Sequence, residues 1–251
     1  MEALCDLLFE FSNEERLKIL LELEKGPKNL TRIAKDLDFT SQGTSRNVAR
    51  LVETSIISRN PDGEYALTPY GGVSLRLLSS YEFLSRNKLY FLGHDTSVLP
   101  YEFINRLGEL AVSSIQEDFV TNYVLEGEML KQAEEYVYST GDQFNVNAQP
   151  IIAEKLNLGV EIRTILPETI VPPPGFRPAS GPNRRLLPKV QVAITVTDKK
   201  AFLGFPTLDG KFDPGVRFVS EDPKFRKWCR NLFNYYWEQS KPIVGAFPNL
   251  S

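Results

Sequence analysis

The chain has 251 residues, 42% of them hydrophobic and 24% charged, with a formal net charge of −3. These are the proportions of a globular protein long enough for two domains, and no apolar run reaches the roughly 20 residues of a membrane span. The slightly acidic balance excludes a uniformly basic nucleic-acid binder, so any such activity has to come from a local patch.

Two cysteines, Cys5 and Cys229, stand far apart. They suit a reducing cytosol and give neither a disulfide scaffold nor a zinc-ligand spacing, so the expected location is cytoplasmic and no metal is expected. The opening MEALCDLLFEF is acidic, without a basic region or a small-residue cleavage site, and is not read as a secretory signal.

Residues 1–70 predict helices followed by one hairpin. SNEERLKILLELEKGP carries a capping box, Ser12 with Glu15, and an apolar side of Leu17, Leu20, Leu21 and Leu23 that Gly26-Pro27 stops. NLTRIAKDLD predicts a second short helix with Leu30, Ile33, Ala34 and Leu37 inward. A third runs from about Ser41 to Thr54, with Val48, Leu51 and Val52 on one arc. IISRNPDGEYALT then reads as two strands around Asn60-Pro61-Asp62-Gly63, a strong turn signal. This order is that of a winged helix-turn-helix domain.

The third helix has the polar face such a domain needs. Gln42, Arg46 and Arg50 lie at i, i+4 and i+8, making one stripe opposite the core. Arg makes bidentate bonds to guanine and Gln to adenine in the major groove. Thr40 and Ser41 sit where a helix start offers N–H groups to phosphate, Ser45 shares the exposed side, and Lys28 and Arg59 add charge. Residues 28–60 hold six basic side chains against three acidic ones, whereas residues 1–27 are acidic. An Arg-bearing amphipathic helix alone is usually just a solvated surface; the full order of elements favours double-stranded DNA as the partner.

Residues 71–92 predict a linker or dimerisation helix, with Thr68 as N-cap and Pro69 at its first position. Val73, Leu77, Leu78, Tyr81, Leu84 and Leu92 recur at helical spacing, and a homodimer would match two DNA half-sites.

Residues 93–251 alternate. PYEFINRLGELA predicts a helix, VSSIQ a strand, EGEMLKQAEEYV a helix, YVYST a strand. AQPIIAEKLNLG predicts a helix stopped at Gly159, then the strand VEIRTIL. KVQVAITVTDKKAFLGF is a hairpin, GVRFVS a final strand, and DPKFRKWCRNLFNYYWEQSK a closing helix capped by Asp222. The pattern argues a mixed α/β domain with some parallel pairing. Between strands lies PETIVPPPGFRPASGPNRRLLPK, whose prolines and glycines, densest over 172–189, predict no regular structure. Arg177, Arg184 and Arg185 make that loop positive, and Arg163 lies in the preceding strand. Convergence of Arg163, Arg184 and Arg185 would hold a small anionic effector; the competing reading is a surface insertion.

LPKVQVAITVTDKKAFLGFPTLDGKFDP, with the later FVSEDPKFRKWCRNLFNYYWEQSK, resembles the archaeal winged-helix transcriptional regulators related to the methanogenesis regulator. The resemblance rests on the Thr197-Asp198 turn, on FP…DGKFD and on the closing aromatic helix. It implies an N-terminal winged helix before an α/β effector domain that is similar in architecture to phospholipase-D-like domains.

Catalysis of that type needs H-x-K-x-x-x-x-D, and the single histidine, His94 in FLGHDTS, has no Lys two residues on. G-x-S-x-G and a Gly-rich phosphate loop are also missing. His94-Asp95 reads as a hydrogen-bonded loop pair. The expectation is therefore a cytoplasmic, non-enzymatic DNA-binding regulator without cofactors. The alternatives are a winged-helix protein-interaction module of the transcription machinery, or a phosphoester enzyme with an appended winged helix.

Overall fold

The computed structural model describes residues 1–173 and 183–243. It contains helices and two sheets, and the chain divides into two compact units, Met1–Ser79 and Ser80–Ser251.

The first unit opens with α1 (Glu2–Phe11), α2 (Glu14–Glu24), α3 (Leu30–Leu37) and α4 (Ser41–Glu53). The wing follows as β1 (Ile57–Arg59) and β2 (Tyr65–Leu67), an antiparallel pair to which Lys28 adds a single bridge. This is a winged helix-turn-helix. Its core is Ile19, Leu20 and Leu23 of α2, Ile33 of α3, Val48 and Leu51 of α4, with Phe11, Ile56, Ile57 and Leu75. Asp38, in the left-handed region at φ 54°, ends α3 and turns the chain into α4.

Some expected details differ. The cap of α2 is Asn13, whose carboxamide accepts from the Arg16 N–H at 2.9 Å; the Ser12 hydroxyl donates back to Phe9 instead. No capping box forms, because Glu15 accepts from Asn47 of α4 at 2.6 Å. Leu21 and Val52 face solvent, while Ile19 is wholly buried. At 100° per residue, Leu21 lies 200° from Ile19 and cannot share its arc.

Thr68 and Pro69 start α5 (Pro69–Arg86) as expected, with the Thr68 hydroxyl accepting from Gly71 at 3.0 Å. A Cβ on Gly71 would lie 2.0 Å from the Ile56 carbonyl oxygen, so only glycine allows that approach. The expected continuous helix to residue 92 is broken at Asn87, whose side chain donates to the Phe83 carbonyl at 2.8 Å; α6 (Lys88–Gly93) follows.

Among the described residues, the second unit is built on eight strands. In chain order it adds α7 (Tyr101–Ile104), β3 (Ser114–Gln116), α8 (Phe119–Gln132), β4 (Tyr136–Thr140), α9 (Gln149–Asn157) and β5 (Glu161–Pro167). Then come β6 (Asn183–Leu187), β7 (Ala193–Thr197), β8 (Ala201–Gly204), β9 (Arg217–Ser220), α10 (Pro223–Gln239) and β10 (Lys241–Pro242). The strand order is β10-β6-β5-β4-β7-β8-β9-β3; β6, β5 and β4 are parallel and every other pair is antiparallel. PYEFINRLGELA is α7 followed by a 3-10 turn over Leu107–Val112, not one helix.

The two faces of the sheet are covered differently. Helix α10 seals one face with a continuous core that includes Tyr138, Ile165, Ile194, Phe225, Trp228 and Phe233. Helices α8 and α9 lie on the other, where the core is split into two small clusters. No helix of the described residues is long and apolar enough to cross a membrane.

Candidate nucleic-acid interface and sheet pocket

In the first unit, α4 begins at Thr40, whose hydroxyl caps the helix by accepting from Gly43 at 3.1 Å. Thr40 thus spends one acceptor on its own backbone. Ser41, Gln42, Ser45 and Arg46 are exposed on the first two turns, while Thr44, Asn47 and Val48 are buried beneath them. A helix entering the major groove presents this N-terminal half to the base edges. Arg46 has no carboxylate partner among the described residues, and Arg59 has none either; its Nε lies 3.4 Å from the Gly63 carbonyl oxygen at the wing tip.

Two residues assigned to this face have internal work instead. The Arg50 Nε donates to the buried Glu10 carboxylate at 2.9 Å, and its Nη1 lies 3.1 Å from Glu53. Those hydrogen bonds, Glu10 first, raise the pKa of its guanidinium. The predicted stripe therefore shortens to Gln42, Ser45 and Arg46. The Lys28 ammonium sits between Glu22 and Asp36, with its side chain 18% exposed and the Asp36 contact at 2.7 Å. Both hydrogen bonds, Asp36 first, hold its pKa above the ordinary lysine value. Lys28 ties the wing to α2 and α3. Arg32 also pairs with Asp36, at 2.9 Å. The local basic excess seen in sequence is thus reduced, because Lys28, Arg32 and Arg50 meet carboxylates, among them Glu10 and Glu22 from the acidic stretch before residue 28.

In the second unit, the expected anion cluster does not form. Pairing of β5 with β6 sets Arg163 beside Asn183, Thr164 beside Arg184 and Ile165 beside Arg185. Side chains alternate between faces, so Arg163 and Arg185 project to the α10 side and Arg184 to the other. Arg163 stacks on Tyr138 and Trp237, 4.9 and 5.4 Å from their ring centroids, and binds Glu161 through Nη2 at 2.6 Å. Arg185 lies 5.1 Å from the Trp237 ring. Neither Arg184 nor Arg185 is in a loop. Asn183–Leu187 is a strand between two prolines, and its sequence, NRRLL, shows no polar–apolar alternation that would announce it. The density of Pro and Gly over the wider stretch hid this. Arg177 falls outside the described residues.

Arg184 instead lines a cavity of about 630 Å³ on the α8/α9 side. Burial lowers the pKa of its guanidinium. Its floor is a row of side chains on four adjacent strands: Arg184 on β6, Thr164 on β5, Ser139 on β4 and Thr195 on β7, each in register with the next. The Ser139 and Thr164 hydroxyls lie 3.3 Å apart. Thr195 donates to Glu126 of α8 at 2.8 Å, and Glu126 is 3.3 Å from an Arg217 nitrogen. None of these hydroxyls was singled out from the sequence. The signal was there: YVYST, EIRTIL and AITVT each place a hydroxyl where a covered strand would carry Val or Ile.

His94 is bound to Asp213, not Asp95. Its Nε2 lies 3.2 Å from Asp213 Oδ2, its Nδ1 lies 2.7 Å from the Tyr90 carbonyl oxygen, and its ring stacks on Tyr90 at 3.8 Å. Asp95 accepts from the Ser97 N–H. The histidine is a packing residue that joins α6 to the segment after β8. No group of three or more metal-ligating side chains occurs among the described residues.

Residues 184–239 match the family model described as methanogenesis regulatory protein FilR1, middle domain. The match runs from β6 to α10. No curated protein matches the chain.

Among solved structures, the chain is similar to TrmBL2, an archaeal chromatin protein whose structure shows a novel mode of DNA binding. That similarity has 13% identity and a TM-score of 0.41, over 92% of this chain and 94% of that one. It is also similar to NucT from Helicobacter pylori, with 13% identity and a TM-score of 0.40, over 52% and 98%. A third likeness is to IdeR of T. acidophilum, with 15% identity and a TM-score of 0.24, over 84% and 98%. At these scores the likenesses are too distant to carry an argument about function.

Proposed function

We propose that this protein is a DNA-binding transcriptional regulator that acts without catalysis. The observation that carries the reading is the exposed Gln42–Ser45–Arg46 face at the start of α4, which lies over a complete winged-helix core and has no internal ion pair. The match of residues 184–239 to a domain of a regulatory protein supports the same reading. In it, α4 enters the major groove and Arg59 at the wing meets a phosphate. The second unit carries the regulatory surface and resembles a phospholipase-D-like domain without its catalytic motif.

The wing is tested by salt dependence. Arg59→Ala lowers affinity for all duplexes alike and reduces the slope of log affinity against log salt by about one unit. Anisotropy titrations at several salt concentrations measure this. A change in base preference at constant slope would assign Arg59 to base readout.

The regulator is proposed to act as a homodimer through α5. Tyr70, Val73, Leu77 and Tyr81 recur at spacings of three and four and are all exposed, making one apolar stripe along the helix. Leu77→Asp is expected to convert a dimer to a monomer in light scattering. A wild-type protein that is already monomeric at high concentration would remove this part of the reading.

A further inference from the structure

The α8/α9 face of the sheet shows where a core was given up. Along β4, Val137 and then Ser139 face this side; along β5, Ile162, Thr164 and Leu166 do. The apolar members belong to two separate clusters, one around Val137 and Ile162 and one around Leu166, Ile170 and Leu186. The hydroxyl row falls between them, and the cavity opens above it. The opposite face has one unbroken core. A purely structural sheet face would join the two clusters with Val or Ile, since a buried hydroxyl without full hydrogen bonding costs free energy.

The walls say what chemistry fits. Phe119, Tyr123 and Glu126 come from one side of α8, and Gln149 and Ile152 from α9. The loop after β4 adds Asp142, Asn145 and Asn147, and Arg217 closes the β7 end. The charged lining is Arg184 and Arg217 against Glu126 and Asp142, so the formal charges cancel. A net anion would bring an uncompensated charge into this site, and a wholly apolar ligand would strand the hydroxyls. Arg217 and Glu126 both line the cavity, and the Arg217 Nη1 lies 3.3 Å from Glu126 Oε2. The Arg217–Glu126 pair thus offers a donor and an acceptor side by side, as a pair of neighbouring hydroxyls requires. Aromatic walls suit the apolar face of a ring, and the volume is that of a small-molecule site.

We propose that this pocket binds a small uncharged polyhydroxylated molecule, of mono- or disaccharide size, across the Ser139–Thr164–Thr195 row. Arg217 and Glu126 hold its hydroxyls at the β7 end, and the ring lies against Phe119 and Tyr123. Binding here is independent of whether the first unit binds DNA, and it is measured without DNA.

The experiment is calorimetric titration of the full chain with glucose, galactose, sucrose and myo-inositol, with glucose 6-phosphate and glutamate as charged comparators. At least one neutral polyol is expected to bind saturably and more tightly than either charged compound. Thr164→Val and Ser139→Ala should each weaken it about tenfold. Thr164→Val keeps the volume, so its melting temperature without ligand should not fall. Arg217→Lys, which keeps the charge and loses the planar fork, gives a second reading if Thr164→Val does not fold. Absence of binding by all four polyols, preference for a charged compound, or wild-type affinity in the variants would overturn the proposal.

Discussion

Replacing Glu10 by Ala is expected to destabilise the first unit by about 3 kcal/mol, near the lower end for removing one partner of a buried ion pair. Glu10 is 1% exposed, and its carboxylate lies 3.1 Å from Arg16 and 2.9 Å from Arg50. Without it, Arg16 keeps its bonds to the Glu10 and Phe9 carbonyls at 3.0 and 2.7 Å but loses its counterion. Arg50 is half exposed and recovers hydration, which is why the lower end applies. Glu10→Gln, which keeps the shape and a hydrogen-bond acceptor, should cost clearly less. Urea unfolding followed by circular dichroism measures both. Equal, small losses for the two variants would show that the carboxylate charge does not hold α1 against α4.

The second large effect is on DNA. Arg46→Ala should weaken specific binding by about 1–3 kcal/mol and relax preference at one base pair, as expected for loss of a bidentate guanine contact. Arg50→Ala is the informative control. Its guanidinium is held by Glu10 and Glu53, so it should lower stability more than base discrimination. Titration of each variant against a duplex and its single-base changes separates the two. If Arg50→Ala relaxes base preference and Arg46→Ala does not, the readout lies further along α4 than the free side chains indicate.

Local patterns carried much of the fold. Helical periodicity, the Asn60–Gly63 turn and the Thr68-Pro69 start placed α2 to α5 and the wing, because each rests on residues within a few positions of one another. The hairpin over Val190–Phe205 was legible in the same way. Partners distant in sequence were not legible. Arg50 looked like a DNA contact until Glu10, forty residues earlier, was found beneath it. Lys28 looked free until the fold brought Glu22 and Asp36 to it. Whether Arg163, Arg184 and Arg185 converge could not be read from local pattern, and the fold separates Arg184 from the other two. Which face each occupies is set by the β5–β6 register, and a shift of one residue would exchange Arg184 with Arg185. Strand β6 itself was hidden by its flanking prolines.

The pocket shows the same limit. Ser139, Thr164 and Thr195 lie on three strands, and only the parallel β4–β5 pairing and the antiparallel β4–β7 pairing align them. Each hydroxyl alone is unremarkable in a strand, where Thr is common. The row exists only in the folded sheet, as does the division of the core on either side of it.

The first turns of α4 are proposed to read duplex DNA. The most direct measurement is selection of bound duplexes from a randomised pool by the full chain, run in parallel with a Gln42→Ala/Arg46→Ala double variant. Wild type is expected to enrich a shared sequence, and the double variant to lose the enrichment while retaining salt-sensitive binding to any duplex. No enrichment by wild type, or the same sequence enriched by both proteins, would contradict it.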